Sequence, residues 1–501
     1  MMTCSLYFFG AICLYRRSWW LDAVTFLNCK EAKLSYIYIR KHYLYLPYML
    51  LALLEFILLF ASLYIVKEIQ FLLNITPEST ISSDPFVALA YAFLLSCSSL
   101  AMGVYLAIMR EGFLAMLFRI LVAYCFLGAL ALTVLALVWP SFNLAGTNLF
   151  WVVMLSTSMS LVTRRGFAKL IDSDRLSRRV LVLGTGESAR QLQRDYEKNR
   201  RSLSIRVMAY IGRLDAAIAA HHCLVQPGDL LLFCSQNGIS EIIVAQQDRR
   251  RCDGDHFPIN ELIRCKLKGI EVTSALSFYE RELRQIKLDI LRPSWIVFSD
   301  GFHVARARTI AKRCFDLGIS LLLSGLLLPV VAIAGLLVWL ETGRPILYSQ
   351  VRVGQDGRRF NIYKLRSMRQ DAEPGGQAVW AQANDSRVTK VGAFIRNTRL
   401  DEIPQLWNVL KGEMSFVGPR PERPEFVEQL NVEIPFYAHR HAVKPGLMGW
   451  AQLNYPYGAS VEDAKGKLEY DLYYTKNQSV IMDLLIMIQT VEVVLLGKGV
   501  H

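Results

Sequence analysis

Long apolar runs restrict what this chain can fold into more than any other feature. Such runs occupy about 44–66, 86–109, 119–139 and 144–162, and a fifth covers 314–340. A helix needs roughly 20 apolar residues to cross about 30 Å of hydrocarbon. The first three runs and the fifth reach that length, while the fourth is weakened by Ser156, Thr157, Ser158 and Ser160. Backbone in lipid must satisfy its own polar groups, so these runs are expected to be helices. With 20% of the 501 residues charged, the chain cannot be all membrane, and 163–313 and 341–480 have the mixed composition of soluble domains.

Charges flanking the runs give an orientation. Lys30, Lys33, Arg40 and Lys41 precede the first run, Glu78 and Asp84 follow it, and Arg110 and Arg119 border the loop after the second. Residues 140–148 are uncharged, and Arg164, Arg165 and Lys169 follow the fourth run. Positive charge stays on the cytoplasmic side, so both ends of a four-helix bundle are expected there. Glu55, inside the first run, reads as a helix-interface residue in preference to a functional one. Residues 1–43 read as an atypical extension: Arg16 and Arg17 follow its apolar stretch instead of preceding it, and no cleavage site is evident.

The formal charge of +13 suits an anionic membrane face and phosphate-bearing substrates better than nucleic acid, because Lys and Arg gather at the ends of apolar runs and in the C-terminal part. The ten cysteines contain no Cys-x-x-Cys pair and the eight histidines no metal spacing, which points to reduced thiols and no zinc site.

Residues 178–189 read as a buried strand, a glycine turn and a helix start. Gly184, Gly186 and Ala189 fit the G-x-G-x-x-A turn of dinucleotide-binding folds. A second strand is expected over Glu241–Ala245. A Rossmann-like cytoplasmic domain over 164–305 follows, with a structural or regulatory role favoured over a bound nucleotide. Beyond it, Arg306, Arg308, Lys312 and Arg313 precede the apolar run 314–340, which contains Ser324, Gly325 and Pro329. Proline removes one amide donor and crowds the carbonyl four residues back, so a kink or break is expected at Pro329. Length alone says a crossing; the alternative is a bent helix that dips into one leaflet and returns, and the residues leave the two about even.

Residues 341–480 are dense in unusual polar groups. Three runs stand out: Phe360-Asn-Ile-Tyr-Lys-Leu-Arg-Ser-Met368; Asn384 to Gly412, containing Arg396, Leu400-Asp-Glu-Ile-Pro-Gln-Leu406; and Met414-Ser-Phe-Val-Gly-Pro-Arg-Pro421. With Lys312, Arg313 and Asp316 before the proline-containing run, this set resembles the monotopic phosphoglycosyl transferases, also called the bacterial sugar transferase family. The upstream runs and glycine turn look like the large polyprenyl-phosphate hexose-1-phosphate transferases of exopolysaccharide and O-antigen pathways. The resemblance implies three parts: a membrane α-helical bundle (44–163), an α/β Rossmann-like domain (164–305), and a mostly α-helical monotopic catalytic domain (306–501). The last carries a re-entrant membrane helix at about 312–340, broken at Ser324 and Pro329.

It further implies a UDP-sugar:undecaprenyl-phosphate sugar-1-phosphate transferase of the bacterial inner membrane, with its soluble parts in the cytoplasm. The donor would be UDP-glucose or UDP-galactose, and UMP would leave. Asp401 would be the nucleophile, and Glu402 would hold Mg²⁺. Neighbouring helix positions point about 100° apart, so the two acids can face different groups. Lys364, Arg366, Arg396 and Arg420 are the expected phosphate holders, since guanidinium forks and ammonium charge suit phosphate oxygens. Pro419 and Pro421 would fix Arg420, Asp385 and Arg387 would pair with each other, and Lys312, Arg313 and Asp316 would support the membrane helix. The resemblance also allows a homodimer. Thr398-x-x-Asp401 separately fits a capping box.

Two rivals remain at this point. A membrane-bound NDP-sugar dehydratase or epimerase would need a Tyr-x-x-x-Lys pair, and no Tyr here has Lys four residues later. A non-catalytic scaffold for polysaccharide assembly would leave the two acids without work.

Overall fold

The structure, a computed structural model, describes residues 36–39, 42–72, 84–102, 113–139, 147–172, 178–184, 186–200, 203, 205–212, 223–224, 228–246, 257–302, 306–369, 387–456, 458 and 460–495. Strands β1 (Tyr36–Ile39) and β2 (His42–Tyr45) form an antiparallel hairpin with Tyr36 opposite Tyr45. The rest of the presumptive extension 1–43 lies outside the described residues.

Four helical segments follow the hairpin. They are α1 (Leu46–Leu72), α2 (Pro85–Ala101), α3 (Phe113–Leu121), running through a π-helical turn at Val122–Gly128 into α4 (Ala129–Val138), and α5 (Thr147–Asp172). Among the described residues, two of these segments are long and apolar enough to span a membrane, Met49–Leu72 and Met116–Ala136. The described part of the expected second span is a helix of 17 residues, and the fourth is long but more polar. Ser156 and Ser160 turn inward: Ser156 Oγ lies 2.8 Å from the Tyr91 hydroxyl and donates to Ser62 Oγ at 3.1 Å. Arg164 of α5 donates to Glu55 at 2.6 Å and to Ser99 at 2.8 Å, and Ser160 donates to Glu55 at 3.1 Å. Glu55 and Arg164 are 2% and 1% exposed, so Glu55 is a partner in a buried interhelical clamp. Leu63, Val87, Leu95, Ile120 and Val152 pack around these polar groups.

A five-stranded, all-parallel sheet comes next. Its strands are β3 (Arg178–Leu183), β4 (Ile205–Ile211), β5 (Cys223–Leu224), β6 (Glu241–Val244) and β7 (Glu271–Ser274), in the order β5-β4-β3-β6-β7. Helices α6 (Glu187–Asn199), α7 (Leu230–Asn237) and α8 (Ile259–Leu267) connect them. The sheet is buried on both faces, with Val180, Val182 and Ile243 in one core and Leu181, Ile242 and Cys234 in the other. The expected strand-turn-helix at 178–189 and the strand at 241 are both present. Gly184 has φ +121°, and a Cβ there would lie 3.1 Å from the Gln246 amide, so the turn needs glycine.

A short helix, α9 (Pro293–Phe298), leads to α10 (Arg306–Thr342), a third helix long and apolar enough to span a membrane. Helical structure runs on through Pro329 across all 37 residues of α10, so the proline expected to kink or break the run does not end the helix. Proline deletes a single hydrogen bond and its strain falls on one carbonyl, that of Gly325, which has open space around it. The bonds on either side carry the helix past it. Ile319 and Leu323 pack on a core with Phe416, Leu472 and Ile486, whereas Val331, Ala334 and Val338 pack with Leu365 and Ile395. Between these arms, Leu326 and Leu328 are each 67% exposed.

The remaining chain supplies an antiparallel hairpin, β8 (Leu347–Val353) with β9 (Arg359–Leu365), then α11 (Lys390–Asn397), a 3₁₀ turn at Leu400–Gln405, and α12 (Leu406–Lys411). After these come β10 (Ser415–Val417), α13 (Pro424–Glu433), a 3₁₀ turn at Tyr437–Ala442, and β11 (Gly446–Met448), which pairs parallel with β10. The short α14 (Trp450–Asn454) and the longer α15 (Val461–Asn477) and α16 (Val480–Leu495) complete it.

Candidate active site

Asp401 and Glu402 sit on the 3₁₀ turn between α11 and α12, buried at 7% and 9% exposure. Arg399, just before the turn, takes the left-handed conformation at φ +59°, strain on the order of 1 kcal/mol for a side chain with Cβ. Leu400, inserted beside Leu365 and Ile395, anchors the turn. A 3₁₀ turn separates successive side chains by about 120°, so the two acids face different surroundings. The capping-box expectation fails. Thr398 ends α11 instead of opening the next turn, and its hydroxyl donates back to the Phe394 carbonyl at 2.8 Å.

The two carboxylates are held differently. Glu402 Oε1 accepts from Lys364 Nζ at 3.0 Å and Arg420 Nη2 at 3.0 Å, and Arg399 lies 3.7 Å from Oε2. Among the described residues, none hydrogen-bonds the Asp401 carboxylate. Burial alone would raise Glu402, but the charges of Lys364, Arg420 and Arg399 outweigh it and hold this acid well below the usual carboxylate range. Burial raises Asp401, and the Glu402 charge adds to that, while Lys364, Arg396 and Arg420 pull the other way without cancelling it. Burial also lowers Lys364, against the pull of Glu402. The result is one tethered, firmly ionised acid beside one acid with unspent lone pairs.

Lys364 comes from the end of β9, Arg396 from the last turn of α11, and Arg420 from the loop after β10. Asn408 of α12 ties the segment after the dyad to β9: it accepts from the Tyr363 amide at 3.3 Å and donates to the Asn361 carbonyl at 2.7 Å. Gly418 and Gly446, where the Arg420 loop crosses β11, have no room for a side chain. A Cβ on Gly418 would fall 2.2 Å from the Lys444 carbonyl, and one on Gly446 would fall 2.0 Å from the Gly418 nitrogen. Gly418→Ala should therefore cost about 2–3 kcal/mol or displace the loop. Thermal melting together with turnover will show it, as a lowered Tm and reduced activity.

Two of the four expected phosphate holders, Lys364 and Arg420, touch Glu402 directly, and Arg396 acts on Asp401 through its charge. Arg366 does not join them. Its Nη2 donates to the Thr342 carbonyl at 2.8 Å, the Thr342 hydroxyl at 2.7 Å and the Gly343 carbonyl at 2.6 Å. The carbonyls that end α10 have no intrahelical partner, and a buried guanidinium satisfies them. Arg387 lies in a turn whose carbonyl accepts from the Arg369 amide at 3.0 Å, and Asp385 is outside the described residues.

Lys312, Arg313 and Asp316 anchor α10 to the domain. Lys312 pairs with Asp483 at 2.6 Å. Arg313 donates to the Val409 and Leu410 carbonyls at 2.6 and 2.7 Å, and Asp316 accepts from Ser415 and the Phe416 amide, both at 3.1 Å.

Sequence reasoning missed Arg399, Arg440 and Asp471. Arg440 donates to the Arg420 carbonyl at 2.9 Å and pairs with Asp471 of α15 at 2.8 Å. Arg352 donates to the Pro421 carbonyl at 3.2 Å, so both flanks of Arg420 are pinned by arginines as well as by Pro419 and Pro421. No signal for this pair stood in the sequence, because α15 also buries Glu469 and Lys476 and Asp471 does not stand out among them.

Among the described residues no cluster of three or more His, Cys, Asp or Glu could hold a metal. Magnesium ordinarily takes one or two protein carboxylates and completes its shell with water and substrate phosphate. The adjacent acids fit that donor set only in company with a phosphate-bearing ligand.

The family description "Bacterial sugar transferase" matches residues 307–497. A UDP-N-acetylgalactosamine-undecaprenyl-phosphate N-acetylgalactosaminephosphotransferase of Aeromonas hydrophila is 41% identical over 238 residues, 48% of this chain and 55% of the relative. A putative undecaprenyl-phosphate N-acetylgalactosaminyl 1-phosphate transferase of Bacillus subtilis (strain 168) is 54% identical over 135 residues, 27% of this chain and 75% of the relative. An undecaprenyl-phosphate glucose phosphotransferase of Komagataeibacter xylinus is 30% identical over 325 residues, 64% of this chain and 59% of the relative. The chain thus spans little more than half the length of the Aeromonas and Komagataeibacter relatives it matches.

Proposed function

Because the chain belongs to the bacterial sugar transferase family, we propose that it moves a sugar 1-phosphate from a UDP-sugar to undecaprenyl phosphate, releasing UMP and starting a surface polysaccharide. One observation carries this reading: Asp401 is buried among Lys364, Arg396 and Arg420 with its oxygens uncommitted, while its neighbour Glu402 is tied down by cations.

The chemistry runs in two displacements. An Asp401 oxygen attacks the sugar-bearing phosphorus, an O–P bond forms, and the bridging P–O bond to UMP breaks. The phosphate oxygen of the polyprenyl lipid then attacks the same phosphorus, and Asp401 departs as carboxylate. A covalent carboxylate intermediate splits a transfer between two anions into two easier steps. Lys364 and Arg420 orient the diphosphate, and Arg396 supports the ionised nucleophile. Glu402 would hold Mg²⁺ together with substrate phosphate, and the ion when bound would offset the charge of the diphosphate.

The same reading places α10 as a re-entrant element in the cytoplasmic leaflet of the inner membrane. Its two arms pack against one domain, and Leu321, Leu322, Leu326, Leu328, Ile333 and Leu340 stand 61–70% exposed, costly in water and favourable in lipid. That geometry keeps the dyad on the face where UDP-sugars are made and at the depth of the lipid phosphate. Residues 164–305 we read as a Rossmann-like domain; the strand order with β3 central and the Gly184 turn at its end support this.

The test is UMP release in detergent with Mg²⁺ and undecaprenyl phosphate across a donor panel. Glucose and galactose head the panel by resemblance, and N-acetylgalactosamine joins them because two relatives carry it in their names. No release with any UDP-sugar would end the proposal. The pH profile gives a second check. Asp401 must be ionised to attack and its pKa is raised, so kcat/KM should rise with pH along a limb above the ordinary carboxylate range. Arg396→Gln removes a charge that lowers Asp401, so that limb should move to higher pH.

A further inference from the structure

We propose that α9 and the first turns of α10 form an anchor that inserts Val297 and Phe298 into the surface of an anionic bilayer. Val297 is 74% exposed and Phe298 84% exposed, on a helix that buries none of its residues fully. Adjacent large apolar groups left this open mark a contact surface.

The position of α9 says which partner covers them. Gly301 sits so close to α15 that a Cβ would meet the Lys476 carbonyl at 2.6 Å, and the Lys476 ammonium lies 4.1 Å from the centre of the Trp295 ring. The Trp295 and Phe302 rings are 6.4 Å apart, so the segment folds back just before Arg306 opens α10. Lys312 of α10 pairs with Asp483 of α16 at 2.6 Å. These contacts hold α9 against α15 and the start of α10 against α16, and each of α9, α10 and α16 leaves large apolar side chains open: Val297 and Phe298, Ile310 (63% exposed), and Ile481 and Leu484 (47% and 46%). Along the chain, α9 leads directly into the helix that enters lipid.

Charge agrees with an anionic membrane. From 292 to 312 the chain holds Arg292, Arg306, Arg308 and Lys312 against a single acid, Asp300. Arg292, Arg306 and Arg308 have no ion-pair partner among the described residues. Basic groups around apolar and aromatic side chains suit the headgroup boundary, where the charges meet lipid phosphate and the rings sit below it.

The experiment uses the full chain in nanodiscs of phosphatidylcholine and phosphatidylglycerol, with a photoreactive benzoylphenylalanine at one position at a time. Phe298→benzoylphenylalanine tests the anchor. Leu328→benzoylphenylalanine reports whether α10 is in lipid. Leu267→benzoylphenylalanine, on an apolar side chain of α8 that is 82% exposed, gives the background. Lipid adducts at 298 about tenfold above those at 267 are expected, in step with strong labelling at 328. Labelling at 328 with only background at 298 would overturn the anchor while leaving the membrane helix intact. Cross-linking of 298 to a second copy of the chain in place of lipid would overturn it equally. The catalytic reading is untouched by either result, since UMP release is scored separately.

Discussion

Asp401→Asn is expected to lower UMP release by roughly a thousandfold or more while leaving the fold intact. An amide keeps the shape of the side chain but cannot serve as a nucleophile towards phosphorus. The structure says why folding should survive. No described residue hydrogen-bonds the Asp401 carboxylate, whereas Glu402 carries the ion pairs that fasten the turn to Lys364 and Arg420. Removing the Asp401 charge also removes its repulsion with Glu402, so the melting temperature should hold or rise slightly. Activity within tenfold of the unaltered protein would remove Asp401 from the reaction.

The second large effect is expected from Arg440→Leu, through stability first and activity as a consequence. Arg440 and Asp471 are 5% and 3% exposed and 2.8 Å apart. Leucine leaves Asp471 buried without its partner, a loss of about 3–5 kcal/mol. It also frees the Arg420 carbonyl that Arg440 holds at 2.9 Å, so the loop bearing Arg420 loosens.

The pH sign is fixed by Asp471, whose pKa burial already raises against the opposing charge of Arg440. Without Arg440 it rises further. A group whose folded pKa is raised stabilises the fold below its unfolded value, and that contribution is lost as pH rises through the folded pKa. The defect of Arg440→Leu should accordingly be smaller at about pH 5 than at about pH 8, measured by thermal unfolding in detergent. Arg440→Leu combined with Asp471→Leu should recover part of the lost stability, because the orphaned charge is gone. An equal defect at both pH values would contradict this account of the pair.

The site residues stood out as a motif set, and the family resemblance gave them their roles. Asp401 and Glu402 are adjacent, Lys364 lies near the end of a strand, and Arg420 lies between two prolines, but alone each read as a cap or an ordinary surface charge. The glycine turn at 184 was legible because strand, turn and helix are consecutive. What sequence could not give was pairing between distant positions. Nothing near Arg366 says that it will cap the end of α10, and nothing near Arg440 says that Asp471 will meet it. Arg399 was missed because a left-handed arginine is set by the packing of Leu400. Pro329 does not end its helix because its penalty is confined to one hydrogen bond, while a helix of 37 residues has many others. The fourth apolar run read as weaker than the others, and it is the more polar helix of the bundle; Tyr91 and Ser62, the partners of Ser156, could not be read from hydropathy.

The most direct measurement is intact-protein and peptide mass spectrometry after incubation with a UDP-sugar and Mg²⁺, but no lipid acceptor, quenched in acid. A mass increase of one sugar phosphate is expected on the peptide carrying Asp401. It should be discharged by adding undecaprenyl phosphate and be missing in Asp401→Asn. UMP release and lipid product without any such adduct, or with the adduct on another residue, would contradict the account.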